Sequence, residues 1–293
     1  MAYNSLKEIV DYCDKKGVSF FQAVLEDDMD ERKVTEKESM DQMYAMWDAM
    51  LLASATYDGG LKSASGLTGG QGAAMEQYRK AGKTLCGDFI SQVVAQALEM
   101  GESNACMKRI VAAPTAGSCG VLPAVLIPYY RMYQEDTADI HQAMIKSLYV
   151  AAGIGQVIAA RAFIAGAAGG CQAEIGAASS MAAGALVSLK GGDNQQICHA
   201  SAIAMKSLLG LVCDPVAGLV EVPCVKRNVT GAVNALTAAD MALAGITSAI
   251  PADQVFDAMR EVGEKMHLSL KETGEGGLAA TPEGIRITKS LIK

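Results

Sequence analysis

Apolar residues recur at helical spacing along most of the chain. Leu6, Ile9, Val10 and Cys13 form one stripe, and Met40, Met43, Tyr44, Trp47, Met50 and Leu51 form a second, which predicts two helices within residues 1–55. The acidic stretch between them, residues 26–38, reads as a solvated turn and helix start. Helical patterns then cover residues 89–107, 122–133, 141–168, 173–190, 194–211, 228–250 and 252–268. Pro123 falls in a first helical turn, where the missing amide costs little, and Pro251 starts a helix after a stop. Gly-rich stretches at 57–72, 113–120 and 271–284 read as loops. With no β alternation, internal repeat or low-complexity linker, the pattern predicts an all-α fold. It is read as one helical catalytic domain over residues 1–293, with Gly-rich loops meeting at a site.

Composition sharpens this picture. The apolar fraction is 51% but the aromatic fraction only 5%, with 30 glycines, so close helix packing by small side chains is expected rather than disorder. A net charge of −7 argues against nucleic acid, which needs clustered Lys and Arg. The segments 150–170 and 173–189 are apolar, but Gln156, Arg161, Glu174 and three serines interrupt them, so both read as core helices rather than membrane spans. The opening MAYNSLKEIVDYCDKKG has no apolar signal region, which predicts a cytoplasmic, reducing setting. Eight cysteines in that setting are packing residues, metal ligands or reactive thiols rather than disulfides.

Two motifs fail on inspection. Gly82-Lys83-Thr84 resembles the end of a phosphate-binding loop, but position 77 is Gln where that loop needs Gly. Gly153-Ile154-Gly155 lacks the third glycine of a dinucleotide fingerprint and reads as helix packing. Cys13, Cys106 and Cys198 lie within helical patterns and read as small buried hydrophobes; Cys86 leans the same way. Cys171, Cys213 and Cys224 instead sit at chain breaks, after Gly169-Gly170, before Asp214-Pro215 and after Pro223. Thiolates projecting from rigid breaks suit soft metals and iron–sulfur clusters. The 41 and ten residues between them form no compact ligand motif, so structural cysteines remain the competing reading. Cys119 is either a reactive thiol or fourth ligand, or a small residue packed near the site; packing is the favoured reading.

The segments SGLTGG (65–70), APTAGSCGVLPAVL (113–126), GGCQAEIGAASSMAAG (169–184) and CDPVAGLVEVPCVKRN (213–228) resemble the alpha subunit of iron–sulfur-dependent L-serine dehydratases. The resemblance runs from about residue 40 to the C-terminus and leaves 1–40 as a helical N-terminal extension. It implies conversion of L-serine to pyruvate and ammonia without pyridoxal phosphate. It also implies a [4Fe-4S] cluster held by Cys171, Cys213 and Cys224, with an open iron acting as Lewis acid on the substrate hydroxyl. Ser65, Thr68, Thr115 and Ser118 become candidates for holding substrate, their Gly-rich loops allowing close backbone approach, with tight turns as the alternative. Lys226 and Asn228 are candidates for reaching substrate or cluster. Lys226 and Arg227 read equally well as solvated or capping charges, and Glu174 and Asp214 as ligand-orienting or capping groups.

Single-chain members of this family add a domain with an S-S-S-H-T motif that this sequence does not contain, so the chain resembles the two-subunit type with a separate beta subunit, and an oligomer is expected. The alternatives are a cluster-dependent L-cysteine desulfidase, a zinc-bound hydrolase, or a partner-binding subunit without activity of its own.

Overall fold

The structure is a computed structural model describing residues 3–134 and 139–291. Three helices, not two, occupy residues 1–55: α1 (Leu6–Lys16), α2 (Phe20–Arg32) and α3 (Glu36–Ala55). Ser5 caps α1 by accepting from the Glu8 amide, and Gly17, at φ 69°, ends it in a left-handed conformation. Gln22 Oε1 accepts from the Ser19 amide at 2.9 Å to start α2, and Thr35 and Glu38 cap α3 reciprocally. Most of the acidic stretch is therefore the second half of α2, not a turn. That half carries too few apolar residues to show a stripe, while Phe20, Ala23, Val24 and Leu25 bury the first half.

The later helices are α4 (Gln71–Lys80), α5 (Gly87–Ala105), α6 (Val121–Tyr133), α7 (Ile140–Arg161), the single turn α8 (Gly166–Gly169), α9 (Ala177–Leu189), α10 (Asn194–Lys206), α11 (Cys224–Leu243), α12 (Ala252–Lys265) and α13 (Pro282–Leu291). The fold is all-α; among the described residues the single strand-like pairing is a bridge between Cys213 and Lys271. Periodicity missed α4, which buries only Gly72, and α13, which buries only Gly284. It also overran real breaks. The helix predicted over 141–168 stops at Arg161, and that predicted over 173–190 opens as a wide π turn (Gln172–Gly176). The helix predicted over 194–211 ends at Lys206, and that over 228–250 runs instead from Cys224 to Leu243. Partly buried apolar residues in the connections, such as Phe163, Ile164 and Leu211, carry the pattern across these breaks.

Helix α9 is the centre of the molecule, buried from Ala177 to Val187 and packed against α6, α7, α10 and α11. Its serines are satisfied internally: Ser179 Oγ donates to the Gly231 carbonyl at 2.8 Å, and Ser180 Oγ lies 2.6 Å from Ser201 Oγ. Helix α7 is the one described helix long and apolar enough to cross a membrane, and 61% of its apolar window is buried inside the protein, as in a core helix. The Gly153-Ile154-Gly155 run on α7 does pack helices: a Cβ at Gly153 would lie 2.5 Å from Val24 Cγ2 on α2, and one at Gly155 3.0 Å from Met181 on α9. Gly153→Ala is accordingly expected to destabilise the fold by roughly 1–3 kcal/mol through overpacking, read as a lower denaturant midpoint with unchanged slope.

Candidate active site

Three breaks in the helical framework deliver the cysteines. Gly170, at φ 77°, reverses the chain before Cys171; a Cβ there would meet Met266 at 2.7 Å and the Leu211 carbonyl at 2.9 Å. The next residue, Gln172, is fully buried and locks this corner. Its Nε2 donates to the Gly169 and Met259 carbonyls at 2.9 and 3.0 Å, and its Oε1 accepts from the Gly210 amide at 2.9 Å. Cys213 is pinned by the C-terminal segment: its amide donates to the Leu270 carbonyl at 2.8 Å and its carbonyl accepts from the Glu272 amide at 2.7 Å. Cys224 opens α11. All three side chains are buried.

Cys171 Sγ, Cys213 Sγ and a Glu174 carboxylate oxygen lie within 4.8 Å of one another, a group that can hold a metal ion. Cys224 stands outside that trio but close enough for its thiol to interact with the charges on Cys171 and Glu174. Cys171 is held below the usual thiol range, first by the hydrogen bond it accepts from Cys213, with Arg227 assisting against burial. The same bond and burial push Cys213 up, and burial pushes Cys224 up to about 12. Arg227 supplies the counter-charge. Its Nη1 donates to Cys171 Sγ at 3.6 Å and to the Val212 carbonyl at 2.7 Å, and its Nη2 lies 2.9 Å from Asp214 Oδ1 in an ion pair angled away from a hydrogen bond. Burial opposes the charge on Arg227, but Cys171 and Asp214 outweigh it and raise its pKa. Asp214 does not cap the turn that follows it; its Oδ2 accepts from the Leu278 amide at 2.8 Å, at the start of the short 3-10 turn Gly277–Ala280, tying the C-terminal segment to the site.

Glu174 lies in the π turn, where the wider backbone turn re-aims side chains. Its Oε1 accepts from Thr115 Oγ1 at 2.6 Å, and burial raises its pKa. Thr115 Oγ1 is also 3.1 Å from the buried Ser118 Oγ. Asn228 fixes this loop to α11: Nδ2 donates to the Gly117 and Cys224 carbonyls at 2.8 and 2.9 Å, and Oδ1 accepts from the Gly120 amide at 2.8 Å. Both of its donors are thus spent on the backbone, which makes Asn228 a positioning residue rather than a group free to bind another molecule.

Ser65 and Thr68 belong to a second cluster. Ser63 and Ser65 both donate to Glu221 Oε2, at 2.6 and 2.7 Å, and the buried Thr68 accepts from Gln71 Nε2 at 3.2 Å. Glu221 thus ties the 65–70 loop to the segment that ends at Cys224. The side chain of Lys226 is exposed on the first turn of α11, while that of its neighbour Arg227 turns inward. Cys119 is fully buried beside the Met100 carbonyl, its thiol pushed up to about 12 by burial, as a packing residue would be. The histidines engage elsewhere: His141 stacks on Tyr44, His199 accepts from the Ser248 amide, and His267 meets Ser269.

Sequence reasoning missed Glu272, Gln172 and Glu221. Glu272 has a left-handed backbone at φ 64°, and a Cβ on Gly166 would come within 3.3 Å of its Oε2, 2.9 Å of Cys213 Sγ and 2.7 Å of Glu174 Oε2. Its one local sign is a charged residue opening a Gly-rich stretch, which loops share.

Residues 15–279 match the family described as serine dehydratase alpha chain, so the likeness begins well before residue 40. The chain is 45% identical over 290 residues to the probable L-serine dehydratase alpha chain of Bacillus subtilis (strain 168), covering 99% of this chain and 95% of that one. It is 43% identical over 292 residues to the L-serine dehydratase alpha chain of Peptoniphilus asaccharolyticus, covering 99% and 98%. To L-serine dehydratase 1 of Escherichia coli (strain K12) it is 36% identical over 288 residues, which are 94% of this chain but 61% of that longer protein. Near-complete overlap with two alpha chains, together with the match over 15–279, makes the chain a member of the serine dehydratase alpha chain family.

Proposed function

We propose that this chain is the catalytic, cluster-binding subunit of a cytoplasmic L-serine dehydratase, which converts L-serine to pyruvate and ammonia. The observation that carries the proposal is the meeting of Cys171 and Cys213, with Cys224 nearby, beside Arg227 and Glu174 in a chain of this family. We assign Cys171, Cys213 and Cys224 as the ligands of a [4Fe-4S] cluster. The donor set fits: three buried thiols, one of them standing off from the other two as a multi-atom cluster requires, with a guanidinium to balance thiolate charge. Gly166 fits too, since any Cβ there would fill the space beside Cys213 and Glu174. When bound through three thiolates, such a cluster supplies an open iron that polarises the substrate hydroxyl as a Lewis acid.

The chain's own residues do the rest. We assign the substrate carboxylate to the loops at 65–70 and 115–118; the amides of Gly66, Leu67, Thr68, Thr115 and Ser118 donate within their own loops, so the role falls to the other amides of these loops. Thr115 gives its proton to Glu174 and can accept from Ser118, which leaves its oxygen one lone pair to accept from the substrate ammonium. Ser118 and Asn228 hold that loop, and Glu221 holds Ser65, so both clamps are oriented before substrate arrives. Loss of the Cα proton and of the hydroxyl yields aminoacrylate, which tautomerises and hydrolyses to pyruvate and ammonia.

Anaerobic purification with iron and sulfide quantification tests the proposal. Exposure to air should cut serine turnover, and ferrous iron with a thiol should restore it anaerobically; turnover unchanged by air and by chelation would sink it. The trio of two sulfurs and one carboxylate also suits a single zinc ion, so elemental analysis showing zinc without sulfide would favour the hydrolase reading. We further propose that a beta subunit completes the site. The isolated chain should bind the cluster yet turn over serine poorly until that partner is added, because small misplacements of clamps and base cost large factors in rate. Full activity from the cluster-loaded chain alone would show that it carries every catalytic group.

A further inference from the structure

Away from the cysteines, α4, α5 and α6 line a polar cleft of about 270 Å³ that is open to solvent, with Arg131 exposed. Its charges are unevenly partnered. Arg79 is satisfied, with Nε 2.7 Å from Glu76 and Nη1 bonded to Asp88. Arg131 is held in place by neutral groups only, its Nη1 donating to Gln96 Oε1 at 3.2 Å and its Nη2 to Ser54 Oγ at 3.0 Å. Glu99 lines the same cleft and interacts with Arg131 through space, yet no residue among those described bonds to its carboxylate. Gln96, 2% exposed, lies beneath Arg131, its oxygen accepting from both Ser54 and Arg131.

We infer that this cleft binds a small α-amino acid as its zwitterion, the carboxylate on Arg131 and the ammonium on Glu99. One anion and one cation, neither bonded to an opposite charge and both lining one polar space, match a ligand carrying both opposite charges on substituents of one carbon. The volume suits the size class, since at about 30 Å³ per water it holds on the order of nine waters, enough for a ligand of six or seven heavy atoms. Burial pushes Glu99 up to about 7 against the pull of Arg131, with Glu76 and Glu102 adding to the rise, as befits a carboxylate short of a cation. The helix beneath is the one that holds both candidate substrate loops. Glu102, one turn after Glu99, accepts from the Gln71 and Gly72 amides at 2.7 and 3.1 Å, and Asn104 donates to the Ala116 carbonyl at 3.2 Å.

L-Alanine is the probe, because it has both charges and no β-leaving group; propionate and ethylamine each keep one charged end. Calorimetric titration of the full chain should show saturable L-alanine binding, with propionate and ethylamine each about ten- to a hundredfold weaker. Glu99→Gln and Arg131→Met should each weaken L-alanine by a similar factor, while Cys213→Ala leaves it unchanged. Glu99→Gln removes no existing bond, so its circular dichroism and melting temperature should match those of the parent chain. No saturable L-alanine binding, equal binding of propionate, or binding that survives Glu99→Gln and disappears in Cys213→Ala would each overturn the inference.

Discussion

Cys171→Ala, Cys213→Ala and Cys224→Ala are each expected to abolish metal loading and, with it, serine turnover. Each thiol is buried and projects from its own backbone break, so no other side chain can slide into its place: Cys171 is locked by Gln172, Cys213 by residues 270–272, and Cys224 by the start of α11. The depressed Cys171 thiol is the member prepared to ligate, and it needs the Cys213 hydrogen bond to be so. Cys13→Ala and Cys198→Ala should keep loading and turnover, at a packing cost on the order of 1 kcal/mol. Iron, sulfide and visible absorbance after anaerobic reconstitution provide the measurement. Loss of loading on changing Cys119 but not Cys171 would mean that the ligands have been misassigned.

Arg227→Met should damage both the fold and the site. The Arg227 and Asp214 side chains are 15% and 4% exposed, and breaking a buried pair by removing one partner leaves an uncompensated charge, which costs about 3–5 kcal/mol. Without the guanidinium, burial would push the Cys171 thiol up, so metal loading should fall as well. Asp214→Asn alone should destabilise by less, because the amide can keep the Leu278 contact. The double variant should be more stable than the sum of the two single effects, and a double-mutant cycle in denaturant would give that coupling. An Arg227→Met chain with the parent's melting temperature and iron content would remove Arg227 from any role at the cysteines.

The substrate-site candidates show how far local reading reaches. Small residues and hydroxyls at 65–70 and 115–118 could be picked out from sequence, because glycine and short polar side chains mark loops that approach something closely. Their partners could not: Glu221 is 156 residues from Ser65, and Glu174 is 59 from Thr115. Lys226 and Arg227 were equivalent as neighbouring cations; which one turns inward depends on how α11 is rotated against the 212–214 segment, and that rotation is set by Cys224, Val225 and Asn228 being buried.

The hydrophobic pattern by itself determined the all-α class and the buried helices at the centre, because apolar spacing encodes which helix face leaves water. The glycines of α7 announced close packing for the same reason, since a missing Cβ is a local fact with a local consequence. The segments around Cys171, Cys213 and Cys224, with those at 65–70 and 113–126, also carried the family likeness, though not its reach back to residue 15. Tertiary structure alone decided the rest. It stopped α7 at Arg161, opened the π turn under Glu174, built α4 and α13 from polar sequence, and brought Glu272 to Cys213. The reason is physical: a polar or charged side chain acquires its meaning from the partner that replaces water, and in this protein that partner usually comes from another part of the chain.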